Sequence, residues 1–262
     1  MVKIYLPDSN GEKYMVKTDS TKTNPVKRFS NLVQPYTKDK AFFDNSVKTE
    51  GVLKVMFDTP DNTEMFVKLG KLHELVEEVD ELAKSLPIYS SVQANLSTFK
   101  NLLNPLTEWA KIRGQLNAQF WGVIDTVSML LDTQDTSIAV HEKELTKEEL
   151  TELKKTVLDF QEKVINSEIE LGLQEYLNRH IRAILAAIDD YRISGVVPVV
   201  EALEGFCGHV ALTSRTNEGY MDKMKDAGFL EVVRTFNDLA SFASVSVPAI
   251  GNMITLIGQS AF

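Results

Sequence analysis

The 262-residue chain has a single cysteine, Cys207. No intrachain disulfide can form, which fits a reducing compartment. The expectation is a cytoplasmic protein, or one exported without a secretory signal. The N-terminus, Met1-Val2-Lys3-Ile4-Tyr5-Leu6-Pro7-Asp8, lacks an apolar signal core, and Asp8 and Glu12 come too early for one.

Catalytic and cofactor motifs are also missing. There is no Gly-x-Ser-x-Gly elbow and neither of the glycine-rich phosphate loops. The Arg-x4–6-His spacing of one family of helical ribonucleases is absent. None of His73, His141, His180 and His209 follows a glutamate by three residues, as a di-iron bundle requires. His73 and Glu77 share a helix face, but position 77 is Glu where a zinc helix needs His. Cys207 and His209 stand close in Gly205-Phe206-Cys207-Gly208-His209 without the spaced partners of a metal site. An activated thiol is the sharper reading of that stretch, and a buried cysteine on a glycine-relieved helix is the plainer one. Asp189 and Asp190 are neighbours on a helix and point about 100° apart, so at most one faces a given site; a solvated face is expected. No metal, cofactor or catalytic residue is expected.

Charge is absent from the end of the chain. Asp238 is the last charged residue, leaving 24 uncharged ones. Among them Phe242, Val245, Val247, Ile250, Met253, Ile254, Leu256 and Ile257 are apolar, while several serines and Pro248 interrupt the run. The length would cross a bilayer core of ~30 Å, but the composition is poor for a stable anchor. A buried terminal helix, an oligomer contact or a segment that enters a membrane after a conformational change are the readings of 239–262.

What is present is an ordinary globular composition, 44% hydrophobic and 25% charged. The net charge of −9 disfavours nucleic-acid binding. Of the 28 basic and 37 acidic residues, 10 and 6 fall in residues 1–57. A basic head on an acidic body could dock head to body; two differently solvated surfaces are the plainer reading. Lys22, Lys27, Arg28, Lys38 and Lys40 are the candidates to meet an acidic partner.

Val2, Ile4 and Leu6 alternate with Lys3 and Tyr5, then Asn10-Gly11 favours a tight turn, so a β-hairpin is expected, returning over about 13–17. Residues 18–50 read as a long loop with short pieces of structure around Phe29 to Val33 and Phe42-Phe43. A second strand is expected over Val52 to Phe57, and Met65 to Val67 either returns it or opens a helix. From there helical periodicity takes over. Leu69, Leu72, Val76, Val79, Ala83 and Leu86 are spaced 3, 4, 3, 4, 3. Val92, Leu96, Phe99, Leu103 and Leu106 continue the pattern, with a break at Pro105. Leu116, Phe120, Val123, Val127 and Leu130 form another stripe.

Thr146 to Glu149 has capping-box form, and Ser167 to Glu170 repeats it, although nothing forbids one continuous rod. Gly195 is expected to stop the second of these helices. Val196 to Leu212, Tyr220 to about Ala243, and Pro248 to Ser260 are further helices.

A helix with one apolar stripe must bury it, since each exposed Leu or Ile forfeits roughly 1.5–3 kcal/mol. The expected architecture is therefore mainly α: a β-rich head over 1–69 and an antiparallel bundle of amphipathic helices with coiled-coil-like seams over 70–262. The matching function is a non-catalytic scaffold or regulatory protein that binds a protein partner or a second copy. The alternatives are a membrane-active, pore-forming protein using its uncharged end, and an enzyme with dispersed carboxylates around His180.

Overall fold

The computed structural model describes residues 3–7, 13–17, 22–39, 42, 46–133, 142–143 and 145–242. It is mainly helical, with twelve α-helices among the described residues. The first six are α1 (Pro25–Lys38), α2 (Thr49–Met56), α3 (Asn62–Ala83), α4 (Tyr89–Leu102), α5 (Trp109–Gln115) and α6 (Ala118–Thr133). The second six are α7 (Lys147–Ile165), α8 (Leu171–Asp189), α9 (Tyr191–Ser194), α10 (Val197–Thr216), α11 (Tyr220–Asp226) and α12 (Phe229–Phe242).

Two small antiparallel pairings accompany them. Strand β1 (Lys3–Pro7) lies beside β2 (Lys13–Lys17), and β3 (Lys22–Thr23) beside β4 (Glu142–Lys143). The Asn10-Gly11 turn lies outside the described residues, so the expected hairpin is not described as a unit.

Two clusters of buried apolar side chains divide the helices. The first gathers residues from Val26 to Leu131, centred on Phe29, Phe99 and Trp109. Phe29 meets Phe99 edge-on with ring centroids 5.2 Å apart, and Trp121 at 5.9 Å. The second gathers residues from Leu145 to Phe236, with Phe160, Phe206 and Phe229 mutually in contact. One residue crosses over: Ile193 on α9 belongs to the first cluster, whereas Tyr191, two residues earlier, belongs to the second.

Several expectations need correction. The loop expected over 18–50 contains the 14-residue α1. Asn24 caps it by accepting from the Lys27 amide at 2.9 Å, Pro25 starts it, and Val26, Phe29, Leu32 and Val33 form its buried face. Lys27, Arg28, Ser30 and Asn31 between those positions hide the stripe. The strand expected at Val52 to Phe57 is α2, because Thr49, Val52, Leu53 and Met56 bury at helical spacing. Met65 to Val67 lies inside α3, which begins where Asp61 accepts from the Glu64 amide at 2.8 Å. Gly70 does not stop α3, so the division expected at 69/70 falls within a helix.

Later, Ser167 caps nothing in the expected way. Its hydroxyl donates back to the Val164 carbonyl at 2.7 Å, and α8 starts at Leu171 behind Glu170. The single rod is thus broken at 166–170. The helix expected from Tyr220 to about Ala243 is two, separated at Gly228, whose φ of 95° is left-handed. Leu106 is 80% exposed rather than part of its seam. By contrast, all six residues of the Leu69-to-Leu86 stripe are buried, and both halves of the Thr146–Glu149 capping box form.

Candidate functional site

A cleft opens where the two cores meet, with a volume of about 720 Å³, within the range of about 300–1,000 Å³ common for ligand sites. Its walls come from both halves. Leu32, Met56 and Phe57 supply apolar surface from the first, and Leu145, Leu150 and Tyr191 from the second. Five basic residues line it (Arg28, Lys68, Lys147, Lys154 and Arg192) against three acidic ones, Asp58, Glu64 and Asp189.

The first wall is set by the α2–α3 corner. Phe57 ends α2 and Asp58 follows in the left-handed region with φ 52°. The Thr59 amide then donates to the Lys54 carbonyl at 3.0 Å and the Asp58 amide to Val55 at 3.2 Å, the paired bonds that close a helix through a left-handed residue. Thr59 Oγ1 donates to Glu64 Oε2 at 2.7 Å. Glu64 Oε1 pairs with Lys68 Nζ at 2.8 Å. These bonds, the lysine's first, hold the Glu64 carboxyl below its ordinary range, with a smaller pull from Lys154 on the opposite half. Lys68 is buried and also donates to the Phe57 carbonyl at 3.2 Å. An ammonium group has three protons to donate, and these two acceptors take two of them.

The second wall is one face of α7, where Lys147, Leu150 and Lys154 stand at helical spacing, with Asp189 and Arg192 opposite. Lys154 pairs with Asp189 at 2.5 Å. Tyr191 Oη accepts from the buried Leu145 amide at 2.7 Å, tying α9 to the approach of α7. Asp190 is buried, not solvated as the sequence suggests, and pairs with Lys71 of α3. On the same two helices, α2 and α3, Val55, Phe66 and Val67 are each more than half exposed.

The basic candidates that the structure describes have separate surroundings. Lys27 pairs with Asp132 at 2.7 Å and Arg28 is buried with its Nη2 on Glu78 at 2.8 Å. Among the described basic candidates, Arg28 lines the cleft. Lys38 is exposed in the last turn of α1. Lys22 is in β3, and Lys40 lies outside the described residues. Of the tail candidates, Phe242 ends α12, while Val245, Val247, Ile250, Met253, Ile254, Leu256 and Ile257 lie outside the described residues. Sequence reading missed Lys68, Lys147, Lys154 and Arg192, which share no local motif and meet only through folding.

Cys207 is buried, and burial first, then Glu204, pushes its thiol up to about 12. That favours the inert, protonated form. His209 faces elsewhere: its ring stacks on His180 with centroids 5.4 Å apart and 15° between planes, and lies 4.0 Å from Tyr176. Its Nε2 shares a hydrogen bond with Thr213 Oγ1 at 3.2 Å. Burial lowers both imidazoles below their ordinary value, with Arg179 adding to this at His180 and His180 at His209. Tyr176 and Phe206 also lie beside His180, with ring centroids 4.8 and 6.2 Å away. Glu77 pairs with Lys100 at 2.7 Å.

Among the described residues, no group of three or more His, Cys, Asp or Glu is placed to hold a metal ion. No described helix is long and apolar enough to cross a membrane. The chain matches no protein-family model, no curated protein and no solved structure.

Proposed function

We propose that this chain is a non-catalytic helical interaction protein, a scaffold or regulatory subunit, that meets a protein partner or a second copy of itself at the α2–α3 corner. The observation that carries this reading is the apolar exposure on α2 and α3: Val55, Phe66 and Val67 are 56%, 56% and 55% exposed. Neighbouring apolar side chains left in water favour a covering surface. We read each half as an antiparallel bundle with coiled-coil-like seams, rigid enough to present such a corner. The net charge of −9 turns the protein away from nucleic acid, and a single cysteine suits the cytoplasm.

The test uses Phe66→Asp with Val67→Asp. Both positions are half in water, so the fold should tolerate the change. The molar mass of the native chain in solution is measured first. Lysate capture then uses native and variant chains as paired baits. A self-association or a partner lost in the variant supports the reading. A monomer whose captured set is identical for both baits overturns it.

A second reading rests on the 24 uncharged residues after Asp238. A membrane-active protein needs an apolar segment that is hidden until release, and residues 239–262 have the length for it. Dye release from liposomes by the full chain, lost on truncation before Leu239, is the expected result. No release under either condition removes it.

A further inference from the structure

We infer that the cleft between the two cores is a binding site for a small organic anion with an apolar body, of the carboxylate or phosphate ester class. The inference rests on the regulatory reading above and supplies the signal that it requires.

The chemistry follows from the lining. The chain as a whole is strongly acidic, at −9, yet this cleft gathers five basic side chains against three acidic ones. Pairing accounts for part of that charge. Lys68 is engaged by Glu64, Lys154 by Asp189 and Arg28 by Glu78, which lies outside the lining. Lys147 and Arg192 then face the cleft with Asp58 as the remaining lining carboxylate. Lys68 is the deep anchor. It is 7% exposed, is held by the Phe57 carbonyl and Glu64, and keeps a third ammonium proton for a ligand. A cation already fixed and desolvated loses little entropy on meeting an anion, and water screens it weakly.

The apolar half of the site is equally specific. Leu32, Met56, Phe57, Leu145, Leu150 and Ile193 line the same space. An inorganic anion would leave this surface uncovered, and a neutral apolar molecule would leave the cations without a partner. A molecule with both parts satisfies both. Because the walls belong to different cores, such a ligand binds each half at once and favours one relative placement of them. Met56, Glu64 and Lys68 line the cleft while Val55, Phe66 and Val67 stand on other faces of the same α2 and α3, so a ligand that fixes the placement of these two helices also fixes the proposed docking surface.

The test is calorimetric titration of the full chain with octanoate and octyl phosphate. Acetate serves as a head alone, octanol as a tail alone and octylamine as the opposite charge. One of the two anionic amphiphiles is expected to bind saturably, more tightly than all three controls and more weakly at high salt. Lys147→Gln with Arg192→Gln, both exposed, is expected to weaken it by about fivefold or more. Asp58→Asn keeps a residue that tolerates the left-handed conformation and removes the opposing charge, so it is expected to tighten binding. Opposite shifts from the two variants support the site. No saturable binding, octylamine binding as well as the anions, or affinities indifferent to both variants overturns it. Binding with the expected shifts but no effect on corner-dependent capture leaves the ligand site standing and defeats the regulatory reading instead.

Discussion

Asp189 and Asp190 are consecutive residues that serve opposite halves of the molecule. Asp189, at the surface, pairs with Lys154 of α7 in the second half; Asp190, buried, pairs with Lys71 of α3 in the first. The helical rotation of about 100° per residue makes this possible. The step between α8 and α9 is therefore where the two cores are fastened.

Removing the cross-core cation should be costly. Lys71→Met leaves the Asp190 carboxylate buried without its partner, and the expected loss is about 2–3 kcal/mol, below the fully buried case because Lys71 is partly in water. Lys71→Met with Asp190→Asn should cost less than the two single changes added together. Urea midpoints of the four proteins measure this cycle. Additive losses would mean the pair carries no coupling.

Tyr191→Phe removes the acceptor of the buried Leu145 amide and little else of the ring's packing. The expected destabilisation is about 1–2 kcal/mol. Hydrogen exchange at the Leu145 amide should quicken at the same time. An unchanged exchange rate would show that water or another group satisfies that amide.

Stability should fall as the solution is acidified below the ordinary imidazole range. Burial depresses His180 and His209 in the folded state, so the unfolded chain takes up their protons first. Their contribution is then complete above the unfolded value of about 6.5 and is lost as pH drops through the folded values. Replacing both with Gln should flatten urea midpoints between pH 7.5 and 5. Equal slopes in native and variant proteins would assign the acid sensitivity to carboxylates.

Cys207 should resist thiol reagents in the native protein and react at once in denaturant. A thiol pushed up to about 12 and buried has neither charge nor access. Fast native-state alkylation at pH 8 would place it at the surface.

Asp58→Gly should stabilise the corner by about 0.5 kcal/mol, because glycine takes the left-handed conformation without steric cost. Differential scanning calorimetry would register the shift, and a lowered Tm would indicate that the Asp58 side chain contributes more than the backbone costs.

Much of the helical architecture is legible in the sequence. The Leu69-to-Leu86 stripe, the Thr146 capping box and Pro198 in the first turn of α10 are local signals that the fold respects, whereas α8 ends at Asp189 and Gly195 stops the short α9 instead. The first third is less legible for a physical reason. In α1 the apolar positions are interrupted by Lys27, Arg28, Ser30 and Asn31, and the eight residues of α2 are too few to separate a strand from a helix by pattern. The cleft could not be seen at all. Lys68 and Lys154 are 86 positions apart, and only the meeting of two cores brings them to one space.

Ile193 has a further consequence for how the chain is made. Every other described residue of the first core has left the ribosome once Leu131 has emerged, yet the apolar cluster still lacks Ile193, encoded some sixty codons later. Until α8 has been synthesised and α9 delivers that side chain, the first half carries a gap open to water. The nascent protein thus has a built-in waiting period, during which a chaperone would find its first foothold at the surface that Ile193 later closes.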